Sequence, residues 1–213
     1  MAKISAAILV AILNMTFVLS TYGATSKNNV GHCRDVTINK QSMTNMIVNF
    51  NDPQEWRLWR TINDGVMGGK SQGAMQGFSG YGTFSGYISL ANNGGFSSVV
   101  RKIKPLSPGV EQLSLDVAGD GLTYQLRAIV YINGYRLAYK HNFQTDSVQR
   151  QQMIFSLSDF DATFRGRIIP SAPQLLSENI AEIGLLITKK RESHFNLDIF
   201  SISSCTEQVN INT

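Results

Sequence analysis

The chain has 213 residues, a length that suits one domain, and it carries a net charge of +4 with a sequence pI near 9.1. Its basic residues are spread along the chain, so the composition argues against a nucleic-acid-binding surface. The two cysteines and the three histidines (His32, His141 and His194) lack the spacing of metal ligands, and neither a metal nor another cofactor is expected.

The amino-terminal stretch, residues 1–24, is typical of a secretory signal peptide. Lys3 gives it a positive start, residues 4–19 are mostly apolar, and the small residues Gly23 and Ala24 suit a cleavage site. An exported protein, secreted or periplasmic, is therefore predicted. The alternatives are a retained membrane anchor, which would bring the chain to a membrane, a mitochondrial location or a buried leading helix.

The remaining chain divides into an N-terminal segment over residues 25–45, one domain over residues 46–205 and a tail over residues 206–213. Cys33 and Cys205 lie near the two ends of this part, and export permits them to form a disulfide. Such a bond would close a loop of nearly the whole domain and contribute about 4 to 5 kcal/mol. Two unrelated thiols are the alternative.

A period of two dominates the domain, with β-branched and aromatic residues interrupted by Gly, Asn, Asp and Pro. The predicted strands cover residues 46–50, 55–62, 83–90, 95–103, 111–119, 122–132, 135–143, 152–157, 181–190 and 195–203. Asn133 and Gly134 predict a hairpin turn, residues 171–179 a short helix or ordered loop, and Lys189 to Glu192 a solvated hairpin turn. Many short strands without a long helix predict an antiparallel β-sandwich or barrel.

Residues 63–73, "NDGVMGGKSQG", concentrate four glycines around one methionine. Gly69, Lys70 and Ser71 match the end of a phosphate-binding loop. However, three residues rather than four separate Gly65 from Gly69, and no helix pattern follows. A nucleotide-binding loop is therefore not expected.

Several stretches together resemble the domain of complex I intermediate-associated protein 30. They are residues 59–73, 84–102, 115–127, 164–167 and 180–202, which agree with the family in order and span roughly residues 47–203. The resemblance implies an all-β fold, an antiparallel jelly-roll sandwich of the galactose-binding-domain-like type. Mitochondrial members of the family are assembly factors of respiratory complex I, so the resemblance implies subunits of a protein complex as partners. It supplies no catalytic residues.

Two glycine-rich blocks, residues 63–73 and 92–98, are predicted to pack against each other. Gly68-Gly69 and Gly94-Gly95 are the positions expected to adopt positive φ. Asp64 is expected to cap loop amides or to pair with Arg101, and Met67 to plug the end of the sandwich. The blocks form either a structural lock or the lip of a binding site.

The candidate binding residues come from these blocks and from the motifs "AGDGLTY" and "FRGR". They are Trp59, Asn63, Asp64, Met67, Gly68, Gly69, Asn93, Gly94, Gly95, Phe96, Arg101, Asp120, Tyr124, Arg165 and Arg167.

The sequence favours a non-catalytic interaction module that assists the assembly or stability of a protein complex, and we expect a monomer. No nucleophile elbow and no spaced pair of carboxylates points to an enzyme. An exported glycan-binding module is the alternative, because seven tyrosines and two tryptophans are available for stacking on sugars. Trp56 and Trp59, if both lie on one strand, face opposite sides, so only one of them can be core.

Overall fold

The computed structural model describes residues 40–147 and 149–209, with the backbone alone described at residues 40–43 and 207–209. The predicted signal peptide, the predicted N-terminal segment up to residue 39 and Cys33 lie outside the described residues. Thirteen strands make up the fold: β1 Lys40–Asn49, β2 Trp59–Asn63, β3 Gln72–Phe78, β4 Tyr81–Ile88, β5 Phe96–Lys102, β6 Gln112–Gly119, β7 Thr123–Ile132, β8 Tyr135–Gln144, β9 Arg150–Ser156, β10 Asp161–Phe164, β11 Arg167–Ile168, β12 Glu182–Thr188 and β13 Ser193–Val209. Short 3-10 turns occupy Glu55–Leu58, Asp64–Met67, Ala91–Asn93, Leu157–Asp159 and Ser177–Asn179.

The strands form two antiparallel sheets. The six-stranded sheet has the order β3-β4-β13-β6-β9, with β1 added alongside β13, and the seven-stranded sheet has the order β11-β10-β8-β7-β12-β5-β2. β13 is long enough to pair β4 through Ser193 to Ile199 and β1 through Ser201 to Val209. The predicted all-β antiparallel jelly-roll sandwich is confirmed.

The core lies between the sheets, and the alternation along β7 shows how the sequence specifies it. Tyr124, Leu126, Ala128 and Val130 point into the shared hydrophobic core and are almost fully buried. The residues between them therefore lie on the outer face of the seven-stranded sheet, because successive side chains of a strand alternate. There Ile129 joins a small second cluster with Val100 and Ala138.

The β7–β8 hairpin is confirmed, since Asn133 and Gly134 have φ of 50° and 81°. The turn over Lys189 to Glu192 is different from the prediction. It joins β12 of one sheet to β13 of the other, so it crosses between the sheets and is not a hairpin. Residues 171–179 form a loop that ends in the 3-10 turn Ser177–Asn179.

The strand predicted over residues 55–62 is wrong in its first half. The backbone N–H of Gln54 donates to Asp52 Oδ1 at 2.9 Å and that of Glu55 to the Asp52 carbonyl at 3.1 Å, which starts a 3-10 turn before β2. Trp59 is core, with 8% of its surface exposed, whereas Trp56 is 37% exposed. One tryptophan is thus buried as predicted, but the turn rather than strand alternation separates them. Strands β3, β10 and β11 were not among the predicted strands.

Candidate functional site

The two glycine-rich blocks meet at one end of the sandwich around the carboxylate of Asp64, which is fully buried. Asp64 Oδ1 accepts a hydrogen bond from the backbone N–H of Ser71 at 2.9 Å. Its Oδ2 accepts from the Ser71 hydroxyl at 2.5 Å, from the N–H of Gly95 at 2.7 Å and from the N–H of Phe96 at 3.3 Å. One side chain therefore fastens the end of β2 to the starts of β3 and β5.

The charge of Asp64 is stabilised by hydrogen bonds. Burial by itself raises the pKa of this carboxyl, but the hydrogen bonds from the Ser71 hydroxyl and from the backbone amides of Gly95, Ser71 and Phe96 outweigh burial. The net effect is a pKa below the ordinary value, because a carboxylate that accepts several N–H and O–H bonds is favoured over the neutral acid.

Two glycines allow the backbone to approach this carboxylate closely. A Cβ on Gly69 would lie 2.4 Å from Asp64 Cγ, and a Cβ on Gly94 would lie 2.6 Å from Asp64 Oδ2. Gly68 and Gly95 have φ of 88° and 128°, as predicted for positions that favour glycine, whereas Gly69 and Gly94 do not adopt positive φ. The glycine pairs thus combine turn geometry with room for Asp64.

Further hydrogen bonds join the blocks, so their predicted packing is present. The N–H of Ser89 donates to the Ser71 hydroxyl oxygen at 3.0 Å, and Asn92 Nδ2 donates to the Gly68 carbonyl at 2.9 Å. Asn63 Oδ1 accepts from the Ser97 hydroxyl at 2.6 Å. Asn93 adopts positive φ, at 58°, and sits in the same turn. Ser71, Ser89 and Asn92 were not predicted as site residues; each is a small polar residue of a kind common in loops, which carries little signal alone.

The prediction that Met67 plugs the sandwich is wrong. Met67 is 67% exposed and its neighbour Val66 is 75% exposed. The space beneath the turn is filled by Asp64 and its donors, with Gly69 against the carboxylate, so the two apolar side chains project outward. The loop therefore presents an apolar tip on a fixed polar base.

The predicted Asp64 to Arg101 pair is also wrong. Arg101 pairs instead with the buried Glu55, with Nε 2.5 Å from Oε1 and Nη2 3.0 Å from Oε2. Trp59 donates its indole N–H to Glu55 Oε1 at 3.2 Å. The register explains why Arg101 pairs with Glu55 rather than Asp64. Trp59 of β2, which binds Glu55, lies directly opposite Arg101 of β5. Burial raises the pKa of the Glu55 carboxyl more strongly than Arg101 lowers it.

Asp120 and Tyr124 lie at the same end of the sandwich and build a turn. Asp120 Oδ1 accepts from the N–H of Leu122 and from the hydroxyl of Tyr124, both at 3.0 Å, and Oδ2 accepts from the N–H of Asn196 at 2.7 Å. Burial and then the charge of Asp120 raise the pKa of Tyr124. Both residues are occupied in holding β6, β7 and β13 together.

The "FRGR" motif does not join this cluster. Arg165, with φ of 49°, and Gly166, with φ of 81°, turn the chain between β10 and β11. Phe164 contacts Tyr135 beside the β7–β8 hairpin, at ring centroids 6.4 Å apart, which places the motif at the opposite end of the seven-stranded sheet. Arg165 stacks over Phe164 at 5.3 Å, and Arg167 is exposed.

Glu192, from the link between the sheets, was not predicted to contribute. Its carboxylate accepts from the N–H of Leu90 at 3.1 Å, the Ser89 hydroxyl at 3.1 Å and the Tyr87 hydroxyl at 3.0 Å. These bonds, the Leu90 amide foremost, lower its pKa. Glu192 thus ties Ser89 and Leu90, which precede the second glycine-rich block, to the link between the sheets.

Within residues 40–147 and 149–209, no group of three or more His, Cys, Asp or Glu side chains is placed to hold a metal ion. In the same part of the chain, none of the helices reaches the length and apolar character needed to cross a membrane. Cys205 is 2% exposed on β13, opposite Thr44 of β1. The disulfide with Cys33 stays a prediction, since Cys33 is outside the described residues.

The fold is similar to that of β-sandwich modules that bind carbohydrate in other proteins. A family 11 carbohydrate-binding module from Clostridium thermocellum, solved in complex with a β-1,3-1,4-mixed-linked tetrasaccharide, superposes with a TM-score of 0.59 over 76% of this chain and 95% of that chain. The same family's module from a cellulosomal cellulase of that organism gives a TM-score of 0.51 over 84% and 100% of the two chains. Both are 14% identical, so the likeness is one of fold.

An exo-β-agarase is similar over a part of its length, with a TM-score of 0.52 and 11% identity over 79% of this chain and 26% of the agarase chain. The comparison with curated proteins finds no match. The family model described as complex I intermediate-associated protein 30 matches residues 48–199. The chain belongs to this family.

Proposed function

We propose that this protein is a non-catalytic interaction module that assists the assembly or stability of a protein complex through the apolar tip of its glycine-rich loop. The observation that carries the proposal is the exposure of Val66 and Met67, at 75% and 67%, directly beside the fully buried Asp64. Apolar side chains held on a rigid base suit a protein interface, because little conformational freedom is lost when a partner covers them.

Family membership supports the same function. The family's name refers to an intermediate of complex I, and the matched region includes the whole glycine-rich loop. Three described carboxylates at this end of the sandwich, Asp64, Asp120 and Glu192, are each occupied by hydrogen bonds that hold strands and loops. Their engagement in structural contacts supports a non-catalytic role.

The test is a double substitution, Val66→Ser with Met67→Ser, in the cells that produce the protein. Native gel electrophoresis and immunodetection would show whether the chain migrates with a large complex. We expect comigration for the wild type and for the control Ile168→Ser, which removes an apolar side chain 55% exposed on β11. Comigration of the double variant at the wild-type level would contradict the proposal.

Glycan binding is the second candidate, favoured by a row of aromatic rings on the outer face of the six-stranded sheet. Phe78 stacks on Tyr81 with centroids 5.1 Å apart, and Tyr81 lies 5.8 Å from Phe200. Phe78 is 48% exposed, whereas Tyr81 and Phe200 are half-buried, and Arg150 Cζ lies over Phe200 at 3.7 Å from the ring centroid. Phe78, at the exposed end of the row, can stack on the face of a sugar.

Titration calorimetry with mixed-linked β-glucan would test this candidate. Binding that is lost in Phe78→Ala but kept in Tyr135→Ala, a tyrosine 68% exposed at the β7–β8 hairpin, would support it. If the wild type releases no heat on titration with the glucan and comigrates with a large complex in the native gel, glycan binding is contradicted and protein interaction is supported.

We also propose that the protein is exported and carries a disulfide between Cys33 and Cys205. The apolar amino-terminal stretch and the burial of Cys205 support this compartment and this bond. Amino-terminal sequencing should find a start near residue 25, and alkylation before reduction should label no thiol. A start at Met1 with both thiols labelled would contradict export and the bond together.

A further inference from the structure

The outer face of the seven-stranded sheet carries an arginine, Arg127, that the described part of the chain does not neutralise. Arg127 lies on β7 between core-facing residues, opposite Lys140 of β8 and opposite Gly184 of β12. Its Nε is buried and has no hydrogen-bond partner among the described residues. Burial, and next the charge of Arg136, lower the pKa of Arg127 to about 10.

The buried carboxylate on this face is already occupied. Glu182, 2% exposed, accepts from Arg136 Nη2 at 2.9 Å and from the Tyr131 hydroxyl at 3.0 Å, with Arg60 Nη2 at 3.8 Å. Asp161 is exposed on β10, opposite Lys140. Positive charge therefore exceeds negative charge around Arg127, and the excess is held close to the sheet.

Arg127 is accessible from its β8 side, where Asn142 is exposed and Lys140 is half-buried. On the β12 side Gly184 is buried, and a Cβ there would lie 2.8 Å from Val100 Cγ1, so Val100 fills the space over that glycine. A group could therefore approach the guanidinium from the side of Lys140. A partly buried guanidinium costs folding free energy unless an anion accompanies it, so a bound anion would recover that cost.

We propose that Arg127 and Lys140 bind the anionic group, a carboxylate or a sulfate ester, of an acidic polysaccharide. The site is separate from the protein contact proposed at Val66 and Met67 and from the aromatic row of the other sheet. Arginine suits the task because its planar fork matches two oxygens of a carboxylate or sulfate.

The chemistry along the same face favours a sugar chain over an acidic peptide. Gln125 and Asn142 are paired next to Arg127 and Lys140, and their amides suit hydroxyl groups. The ring of Tyr131, 53% exposed, lies farther along β7 and can stack on a sugar. The apolar side chains beside Arg127 on this face, those of Val100, Ile129 and Ala138, are buried and are therefore not available to contact the apolar anchors of a peptide.

The experiment is affinity electrophoresis and calorimetry of the full chain with four probes: polygalacturonate, dextran sulfate, neutral mixed-linked β-glucan and poly-glutamate. The variants are Arg127→Met, which keeps the volume and removes the charge, and Lys140→Gln. Arg191→Met is the control, because it removes the same charge from the exposed link between the sheets. We expect wild-type binding to one of the two anionic polysaccharides, weakened by salt. The polymer that binds identifies the anionic group as carboxylate or sulfate.

Arg127→Met should weaken that binding by about tenfold or more, and Lys140→Gln should weaken it less, while Arg191→Met should leave it within about twofold. Without ligand, Arg127→Met should melt no lower than the wild type and up to about 4 °C higher, since an unpaired charge has been removed. The proposal is overturned if neither anionic polysaccharide binds, if poly-glutamate binds as tightly as they do, or if Arg127→Met and Arg191→Met bind equally.

Discussion

Asp64 and Arg127 are both withdrawn from water, wholly in the first case and partly in the second, but their hydrogen bonding is opposite. Asp64, at the end of the sandwich, accepts hydrogen bonds from one hydroxyl and three backbone amides. Arg127, on the outer face of the seven-stranded sheet, has a buried Nε without a partner in the described chain. A fully satisfied buried group stabilises the fold and leaves no capacity for a ligand, whereas an unsatisfied group keeps that capacity.

The first test of this comparison removes Asp64, the group whose hydrogen bonds are satisfied. Asp64→Ala leaves the backbone N–H groups of Ser71, Gly95 and Phe96 without an acceptor in a buried site, so we expect a loss of about 4 kcal/mol in the free energy of unfolding. Urea unfolding followed by tryptophan fluorescence measures it. The control Asp161→Ala removes an exposed carboxylate from β10 and should change stability by less than about 0.5 kcal/mol. A loss below about 1 kcal/mol for Asp64→Ala would mean that water replaces the carboxylate.

The second test crowds the same carboxylate without removing it. In Gly69→Ala the new Cβ would lie 2.4 Å from Asp64 Cγ, so the loop must shift, at a cost of about 1 to 3 kcal/mol. Gly65→Ala, four residues earlier in the same loop, meets no atom within 4 Å and should be nearly neutral. Equal midpoints for the two variants in urea would show that Gly69 is not needed for the approach.

The third test uses pH, since Asp64 and Glu55 are buried carboxyls with opposite shifts. The lowered pKa of Asp64 contributes stability that is present above its unfolded pKa and is lost as pH falls through the folded pKa. The raised pKa of Glu55 contributes stability that is present at low pH and is lost as pH rises through its folded pKa. At neutral pH, therefore, the stability contributed by Asp64 is present and the stability contributed by Glu55 has been lost.

Wild type and Asp64→Asn, unfolded in urea at a series of pH values from 7 down to 3, separate the two contributions. The difference in unfolding free energy between the two proteins should be largest near neutral pH and should shrink as the solution becomes more acid than the ordinary pKa of Asp64, 3.8. A difference that stays constant over the whole range would show that the charge of Asp64 does not stabilise the loop.

The sequence predicted the sandwich and the contact between the glycine blocks because both rest on local signals. Alternation along β7 and the Asn133-Gly134 turn are visible in the sequence, and so is the pairing of glycine-rich blocks near Asp64. The partner of Arg101 was missed because Glu55 is brought to it by a 3-10 turn and by the β2–β5 register. Neither is encoded in the spacing of those two residues.

The lack of a hydrogen-bond partner for Arg127 Nε among the described residues could not be predicted, for the same reason. Its environment depends on which strands flank β7 and on their registers, which place Gly184 on one side and Lys140 on the other. The exposure of Met67 was mispredicted because apolar residues in a short loop follow no period. The sequence pattern therefore predicted the acidic residue at the centre of the loop, but it did not predict in which direction the apolar side chains around that residue point.

The smallest expected effect concerns that apolar tip. Val66→Ser with Met67→Ser changes two side chains that are largely in water, so the free energy of unfolding should change by less than about 0.5 kcal/mol, far less than for Asp64→Ala. The urea midpoint of the double variant, measured beside that of Ile168→Ser, checks it. A loss above about 2 kcal/mol would mean that Val66 and Met67 pack against the domain, and the tip would then belong to the lock that Asp64 forms. Unchanged stability together with lost comigration in the native gel would separate the two roles of the loop: Asp64 holds it in place, and Val66 and Met67 contact the partner.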